Sequence, residues 1–381
     1  MPVPNAESHD ALPDFGTKWA VDVVGIGVVG CGNISPIYLQ NLSLFEGTKV
    51  VAVTDLDAAK AKARAEEFNV PVRDSVEDLV SDPSVEIVLN LTVPKVHFQV
   101  AALAVSAGKH VYNEKPLTVE WEDGQSLVQQ AKQQGVLIGC APDTFLGAGI
   151  QTCREIVDSG RIGVPVAVQA FMLCPGHESW HPDPGFYYEK GGGPLFDMGP
   201  YYLTALVALL GPIRTVTGMA RASFPTRTIT SEPKRGTSIT VETPTNLSTV
   251  LEFGSGAIGQ LSTSFDVPAH TLPHIEIYGS EGTLQVPDPN GFGGTPKLWT
   301  KSTGAWEDIE IVRPYSENSR GVGVLDLAQA AQNGRSARAS GNLALHVLET
   351  MHAAHWAAER REHVTLTTTV DRPEPMPSKP L

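Results

Sequence analysis

The chain is 381 residues long, 41% hydrophobic and 18% charged, with a formal net charge of −14 at pH 7. That length suits two domains rather than one core, and the composition is that of a globular chain rather than a disordered one. A carboxylate excess without any basic run weighs against nucleic acid and anionic membranes as partners, because both are bound through clustered Lys and Arg.

Residues 1–20 are polar and proline-bearing, read as a flexible segment without the basic and apolar regions of a secretory signal. No stretch reaches the ~20 consecutive apolar residues that a membrane-spanning helix needs. Cys31, Cys140, Cys153 and Cys174 stand apart with no C-x-x-C pair. That pattern fits a reducing compartment, and a cytoplasmic location is expected.

Residues 21–141 alternate apolar runs (23–29, 50–54, 85–93, 110–112 and 136–140) with helix-period segments at 58–68, 97–107 and 121–134. Continuous apolar runs such as Ile87-Val88-Leu89 predict strands buried on both faces, hence a parallel sheet with crossover helices. This is the α/β Rossmann pattern. After a predicted helix at 150–159, residues 142–370 turn strand-rich, with runs at 164–173, 213–222, 238–253, 257–265 and 274–286. Their hairpin-length spacing predicts an α+β domain with a large, open, mostly antiparallel sheet, closed by a helix at 344–360. A Pro-rich tail, 371–381, follows.

Two glycine frames compete after the first strand. Gly25, Gly27 and Gly30 spell G-x-G-x-x-G. The frame Gly30-Cys31-Gly32-Asn33-Ile34-Ser35 instead lets Pro36 fall in the first helical turn, where its missing N–H costs little. The second frame is therefore preferred, with Gly30, Gly32, Asn33 and Ile34 expected to cradle a pyrophosphate at the helix N-terminus. Asp55 lies 20 residues after Ser35. A carboxylate there would accept ribose hydroxyls and repel a 2′-phosphate, which favours NAD over NADP. The other reading is an ordinary turn capped by Asp55. Thr92-Val93-Pro94, read as the end of a fourth strand, His97 behind it, and Glu114-Lys115-Pro116 at the end of a fifth add candidate cofactor contacts at Thr92, Pro94, His97, Glu114 and Lys115. Ligands of open α/β sheets bind at that edge.

Oxidising an alcohol needs a hydride acceptor and a base. Lys115, leaving a buried strand toward the crevice, is the best candidate base, with burial and a cationic nicotinamide expected to lower its pKa. A simple pairing with Glu114 is the alternative. Gly191-Gly192-Gly193-Pro194 opens a helix predicted to run to about Leu210. On it Asp197 and Tyr201, four residues apart, share a face. Asp197 could orient Lys115, and Tyr201 could bind or relay a substrate proton, although Pro200 threatens a kink. Upstream, Trp180, His181 and Tyr188 sit in an aromatic, Pro-rich loop suited to the C–H face and hydroxyls of a sugar ring. His177 and His181 lack the further ligands that a metal site would need, so no metal is expected.

Five segments together resemble the glucose–fructose oxidoreductase, inositol dehydrogenase and MocA family. They are Gly-Cys-Gly-Asn-Ile (30–34), Ala-Gly-Lys-His-Val-Tyr-Asn-Glu-Lys-Pro (107–116), Asp-Ser-Gly-Arg-Ile-Gly (158–163), Gly-Gly-Gly-x-Leu-x-Asp-x-Gly (191–199) and Ile-Tyr-Gly-Ser-Glu-Gly-Thr-Leu (277–284). The resemblance implies that Lys115 and Asp197 are catalytic, that a cis peptide precedes Pro116, and that substrates are sugars, cyclitols or their derivatives. It also implies a homodimer or homotetramer built on the second-domain sheet. The chain departs from the family where many members carry His four residues after the Asp. Here that residue is Tyr201, so either Tyr201 substitutes or a loop histidine such as His181 reaches in. A redox-neutral enzyme recycling bound NAD, and a non-catalytic NAD-binding sensor, remain as alternatives to the dehydrogenase.

Overall fold

The computed structural model describes residues 23–381; the expected flexible segment at 1–20 lies outside them. The first half builds a parallel sheet from β1 (Val24–Val29), β2 (Thr48–Thr54), β3 (Ile87–Asn90), β4 (His110–Asn113) and β5 (Ile138–Cys140), in the order β2-β1-β3-β4-β5. β1, β3 and β5 are buried at every position, as strands covered on both faces must be. The connections carry α1 (Ser35–Leu44), α2 (Ala58–Phe68), α3 (Val76–Ser81), α4 (His97–Ser106) and α5 (Trp121–Gln134). Thr92 and Glu114 follow the third and fourth strands, not the fourth and fifth. Where a further strand would lie, the chain makes one parallel bridge, Val53 to Val72.

Pro36 occupies the first turn of α1, as the second glycine frame requires. Gly30 ends β1 with φ of +100°, and a Cβ there would meet the Leu91 carbonyl carbon at 2.7 Å. Gly25 and Gly27 are strand glycines, as that frame implies: a Cβ on Gly25 would stand 1.9 Å from the Ser84 carbonyl oxygen.

The second half opens with α6 (Ala148–Asp158) and β6 (Pro165–Leu173). It continues through α7 (Gly193–Leu210), β7 (Ile213–Arg221), β8 (Thr226–Thr228), β9 (Ser238–Thr240), β10 (Asn246–Phe253), β11 (Ile258–Ser264), β12 (Ile275–Gly279), β13 (Gly282–Val286), β14 (Lys297–Thr300) and β15 (Trp306–Asp308). α8 (Val322–Asn333), α9 (Gly341–Arg360) and β16 (Val364–Thr365) complete it. Nine strands form one mixed sheet in the order β15-β14-β13-β12-β6-β11-β10-β7-β16, antiparallel except between β6 and β11. The runs expected at 238–253 and 274–286 each divide into two strands. α7 is buried almost throughout and keeps its helical course through Pro200. On the opposite face, Val166, Met219, Val250 and Ile258 leave 42–76% of their surface exposed.

α8 and α9 return to the first half. The Cys140 amide donates to the Ala339 carbonyl at 2.9 Å, and Ala344 and Leu345 of α9 pack onto the core containing Leu117, Leu127 and Ile138. The Pro-rich tail is tied down: Arg372 bridges to Asp158 at 2.8 Å, and the Met376 amide donates to Gln151 at 2.8 Å.

Candidate active site

The sheet's carboxyl edge is held open by a buried polar lattice. Asn90 at the end of β3 donates to the Asn113 side chain at 3.0 Å and to the His97 carbonyl at 3.1 Å, while Thr92 donates its hydroxyl to Asn90 at 2.6 Å. Asn113 in turn donates to the Leu117 carbonyl at 3.1 Å. His97 is fully buried, with its ring nitrogens 2.7 Å from the Pro116 carbonyl and 3.0 Å from that of Thr92. It ties two strand-end loops together rather than facing a cofactor, which corrects the expectation for this residue. Burial foremost lowers its pKa, outweighing the two carbonyl contacts. Asn90 and Asn113 were not singled out from sequence, since nothing in an apolar run distinguishes a lattice amide from a loop residue.

At the cofactor end, Gly32 has open space where a Cβ would stand, and no side chain caps α1. First-turn amides facing an open cradle suit an anionic pyrophosphate. Asn33 is exposed and Ile34 half-buried beside this cradle. Asp55 accepts the Cys31 amide at 2.7 Å and the Asp57 amide at 2.8 Å, so its carboxylate is fixed at the tip of β2. A carboxylate oxygen has lone-pair capacity left for ribose hydroxyls. Together these residues fit a dinucleotide.

β4 delivers the chemistry. Glu114 accepts the Tyr38 hydroxyl at 2.8 Å and the Lys115 amide at 2.8 Å. The Lys115–Pro116 bond is cis. Lys115 donates from Nζ to the Asp197 carbonyl oxygen at 2.5 Å and to Asp197 Oδ1 at 3.0 Å. The other carboxylate oxygen of Asp197 lies 3.2 Å from His177 Nε2. A continuous Lys115–Asp197–His177 line results, with side chains only 18%, 16% and 10% exposed.

The electrostatics correct one expectation. Burial does push Lys115 toward the neutral amine, but the Asp197 carboxylate, with Tyr201 and Glu114 behind it, raises its pKa above the ordinary range. For Asp197, burial opposes ionisation, yet Lys115 and then His177 lower its pKa to about 2. The resting site therefore holds an ammonium against a carboxylate.

His177 takes the place that sequence reasoning offered to Tyr201 or His181. Tyr201 lays its ring 5.2 Å from Lys115 Nζ, while its hydroxyl is held by the Arg320 guanidinium. His181 lies farther out, accepting the Asp183 amide at 3.0 Å and touching Phe186 and Tyr187 edge-on. Trp180 is 61% exposed at the rim. Tyr188 is fully buried, with its hydroxyl donated to Glu178 at 2.7 Å. It belongs to the loop's foundation, not to a substrate surface. Tyr187 lines the cleft instead and packs 4.0 Å from the His177 ring. The signal for His177 was its place with His181 in the aromatic loop; Arg227 engages the adjacent Glu178 from β8 while reaching Asp266 at 2.6 Å. That clamp joins residues distant in sequence.

Beside this line opens a cleft of about 500 Å³, walled by Pro94, Lys115, Pro116, Phe186, Tyr187 and Asp197, among others. Polar groups converge in an aromatic-walled cleft at the sheet's carboxyl edge, where open α/β sheets bind ligands, which makes it the candidate substrate site.

Residues 24–141 match an oxidoreductase family with an NAD-binding Rossmann fold, and residues 150–285 match the GFO/IDH/MocA C-terminal domain. Fold and site thus define an NAD-binding oxidoreductase of the sugar and cyclitol dehydrogenase type. The chain belongs to the Gfo/Idh/MocA family. It is 28% identical over 265 residues to a 1,5-anhydro-D-fructose reductase of Ensifer adhaerens, covering 68% of this chain and 74% of that protein. A myo-inositol 2-dehydrogenase of Thermotoga maritima is 24% identical over 260 residues, with the same 68% and 74% coverage. Among solved structures, levoglucosan dehydrogenase in complex with NADH superposes with a TM-score of 0.79 at 18% identity, over 91% of this chain and 100% of that one. At that identity the likeness is one of fold. Among the described residues no helix is long and apolar enough to cross a membrane.

Proposed function

We propose that the protein oxidises a secondary alcohol of a sugar, cyclitol or glycoside with NAD, or runs the reverse reduction, with Lys115 exchanging the hydroxyl proton. The Lys115–Asp197–His177 line beside the aromatic cleft carries this reading. When bound, nicotinamide supplies the hydride acceptor. The Lys115 ammonium can donate to a substrate oxygen and polarise a ketone, and the neutral amine can take the proton of an alcohol. Asp197 holds the lysine and stabilises its charged form. His177 shares the Asp197 carboxylate and offers the proton a path outward. Tyr201, with its ring against Lys115, helps to wall the reacting oxygen, while Trp180, His181 and Tyr187 would meet the sugar.

Asp55 at the tip of β2, with Asp57 beside it, favours NAD over NADP, since a 2′-phosphate would bring like charge against it. The test is NADH formation across a panel of sugars, polyols and glycosides, repeated with NADP. Turnover with NAD and none or little with NADP is expected. No turnover by the wild type on any alcohol, in either direction, would overturn the reading.

A further inference from the structure

A second cavity, about 610 Å³, lies behind the wall of the catalytic cleft, between α9 and the loops before α5 and β10. Val119, Lys190, Gly191 and Phe196 line both spaces. Phe196 precedes the catalytic Asp197, so the two cavities are neighbours across one side chain. The Lys190–Glu120 ion pair at 3.0 Å marks the boundary, and its lysine is 81% exposed. An exposed pair of this kind adds little stability and yields readily to a ligand.

The second cavity is built from groups that recognise a ring. His352 and Trp356 stack at 5.5 Å with 30° between their planes, and Phe196 presents its ring 5.1 Å from His352. His352 is anchored through the Val119 carbonyl at 3.0 Å. His355, one helical turn along α9, makes no hydrogen bond to any described residue, although its ring borders the cavity. Burial, and then the neighbouring His352, lower its pKa to about 4. It is therefore a neutral imidazole, with one donor and one acceptor to offer. Around the rim stand Glu120, Glu242 and Glu359 against the ammonium of Lys190, with the Arg360 guanidinium 5.7 Å from the Trp356 ring. An aromatic platform takes the C–H face of a sugar or aryl ring, carboxylates accept its hydroxyls, and the charge balance turns anions away.

We propose that this cavity is a second-ring subsite, so that the preferred substrate is an uncharged disaccharide or aryl glycoside rather than a free monosaccharide. One ring reacts at Lys115 while the other rests against Trp356 and His355. The proposal rests on the dehydrogenase reading above and adds the class of substrate.

The test compares matched pairs: methyl glucoside with cellobiose and maltose, methyl galactoside with lactose, and phenyl with 4-carboxyphenyl β-glucoside. In the wild type, at least one two-ring substrate should exceed its methyl glycoside in kcat/KM by about 10-fold or more, the scale of a filled hydrophobic pocket. Trp356→Ala should bring that ratio near one, and His355→Ala, a milder change at a half-buried site, should reduce it in the same direction. The 4-carboxyphenyl glucoside should be the poorer of its pair. Ratios near one in the wild type, ratios untouched by both variants, or parity between the two aryl glycosides would overturn the subsite while leaving the dehydrogenase reading intact. If no sugar yields NADH, that underlying reading fails. Calorimetry on NADH-loaded protein then decides the subsite alone: two-ring ligands binding tighter, with the advantage lost in Trp356→Ala, support it, and equal affinities remove it.

Discussion

At the scale of single residues, the site is governed by the competition between burial and charge at Lys115. Asp197 wins, so the lysine waits as an ammonium and must lose its proton before it can act as a base. Lys115→Ala should abolish turnover while leaving NAD affinity nearly intact, measured by kinetics and calorimetry together. Tyr201→Phe should cost less, about 10–100-fold in kcat/KM, because it removes only the hydroxyl held by Arg320 and keeps the ring against Lys115. Equal inactivity of the two variants would exchange their roles. The charge argument has its own signature. Alcohol oxidation rises with pH as Lys115 deprotonates, and Asp197 is the chief group holding that step at high pH. Asp197→Asn should therefore lower kcat and move the rising limb of the pH profile toward lower pH; a limb that stays put, or moves up, would dissociate the lysine from the profile. For Asp197 itself the sign is the reverse. Its lowered pKa stabilises the fold fully above the ordinary carboxylate range, near ~3.9. That contribution is lost as pH falls through about 2.

Among elements, the loop 174–190 decides more than any helix. Arg227 on β8 grips Glu178 and Asp266, with exposures of 11%, 11% and 6%, and Glu178 also accepts the Tyr188 hydroxyl. His177 is placed by this grip. Arg227→Ala would strand two buried carboxylates, a loss on the order of 3–5 kcal/mol. It should lower the melting temperature and kcat together, whereas Arg227→Lys, keeping the charge without the fork, should fall between. An Arg227→Ala variant as stable and active as wild type would mean that the loop holds itself. The same loop shows where sequence reasoning stops. Lys115 and Asp197 were legible because each ends a local pattern, a strand followed by Pro and a glycine run entering a helix. α2 and α5 were legible to the residue from their periodicity. Tyr188 was chosen over Tyr187 wrongly, because a 3₁₀ turn spans Gly185–Tyr188 and successive residues of such a turn face about 120° apart. A loop histidine was one of the two readings, but that it is His177 rather than His181 could not be read, since its contact with Asp197 depends on a clamp assembled from β8 and the end of β11. The five apolar runs match the five strands, but Thr92 and Glu114 follow the third and fourth of them, and between β2 and β3 the chain makes the isolated Val53–Val72 bridge. α8, buried over most of its length, went unread.

For the whole molecule, the nine-stranded sheet has helices on one side and an open face on the other. Val166, Met219, Val250 and Ile258, drawn from four neighbouring strands, leave an apolar band there. Self-association would bury it, and a dimer or tetramer is expected by light scattering at micromolar concentration. Met219→Asp with Ile258→Asp should shift the mass to that of a monomer; a wild-type monomer would remove the interface. The return of α8 and α9 to the first sheet carries a different consequence, one of timing. Ala339, Ala344 and Leu345 complete the packing around β5, yet they are synthesised some two hundred residues after it. A ribosome has released the entire nucleotide-binding half long before the helix that seals it emerges. During translation that half must wait with Leu127 and Ile138 incompletely covered, at the stage when exposed apolar surface invites misassociation. The first turn of α9 therefore sets the moment at which the first domain can close.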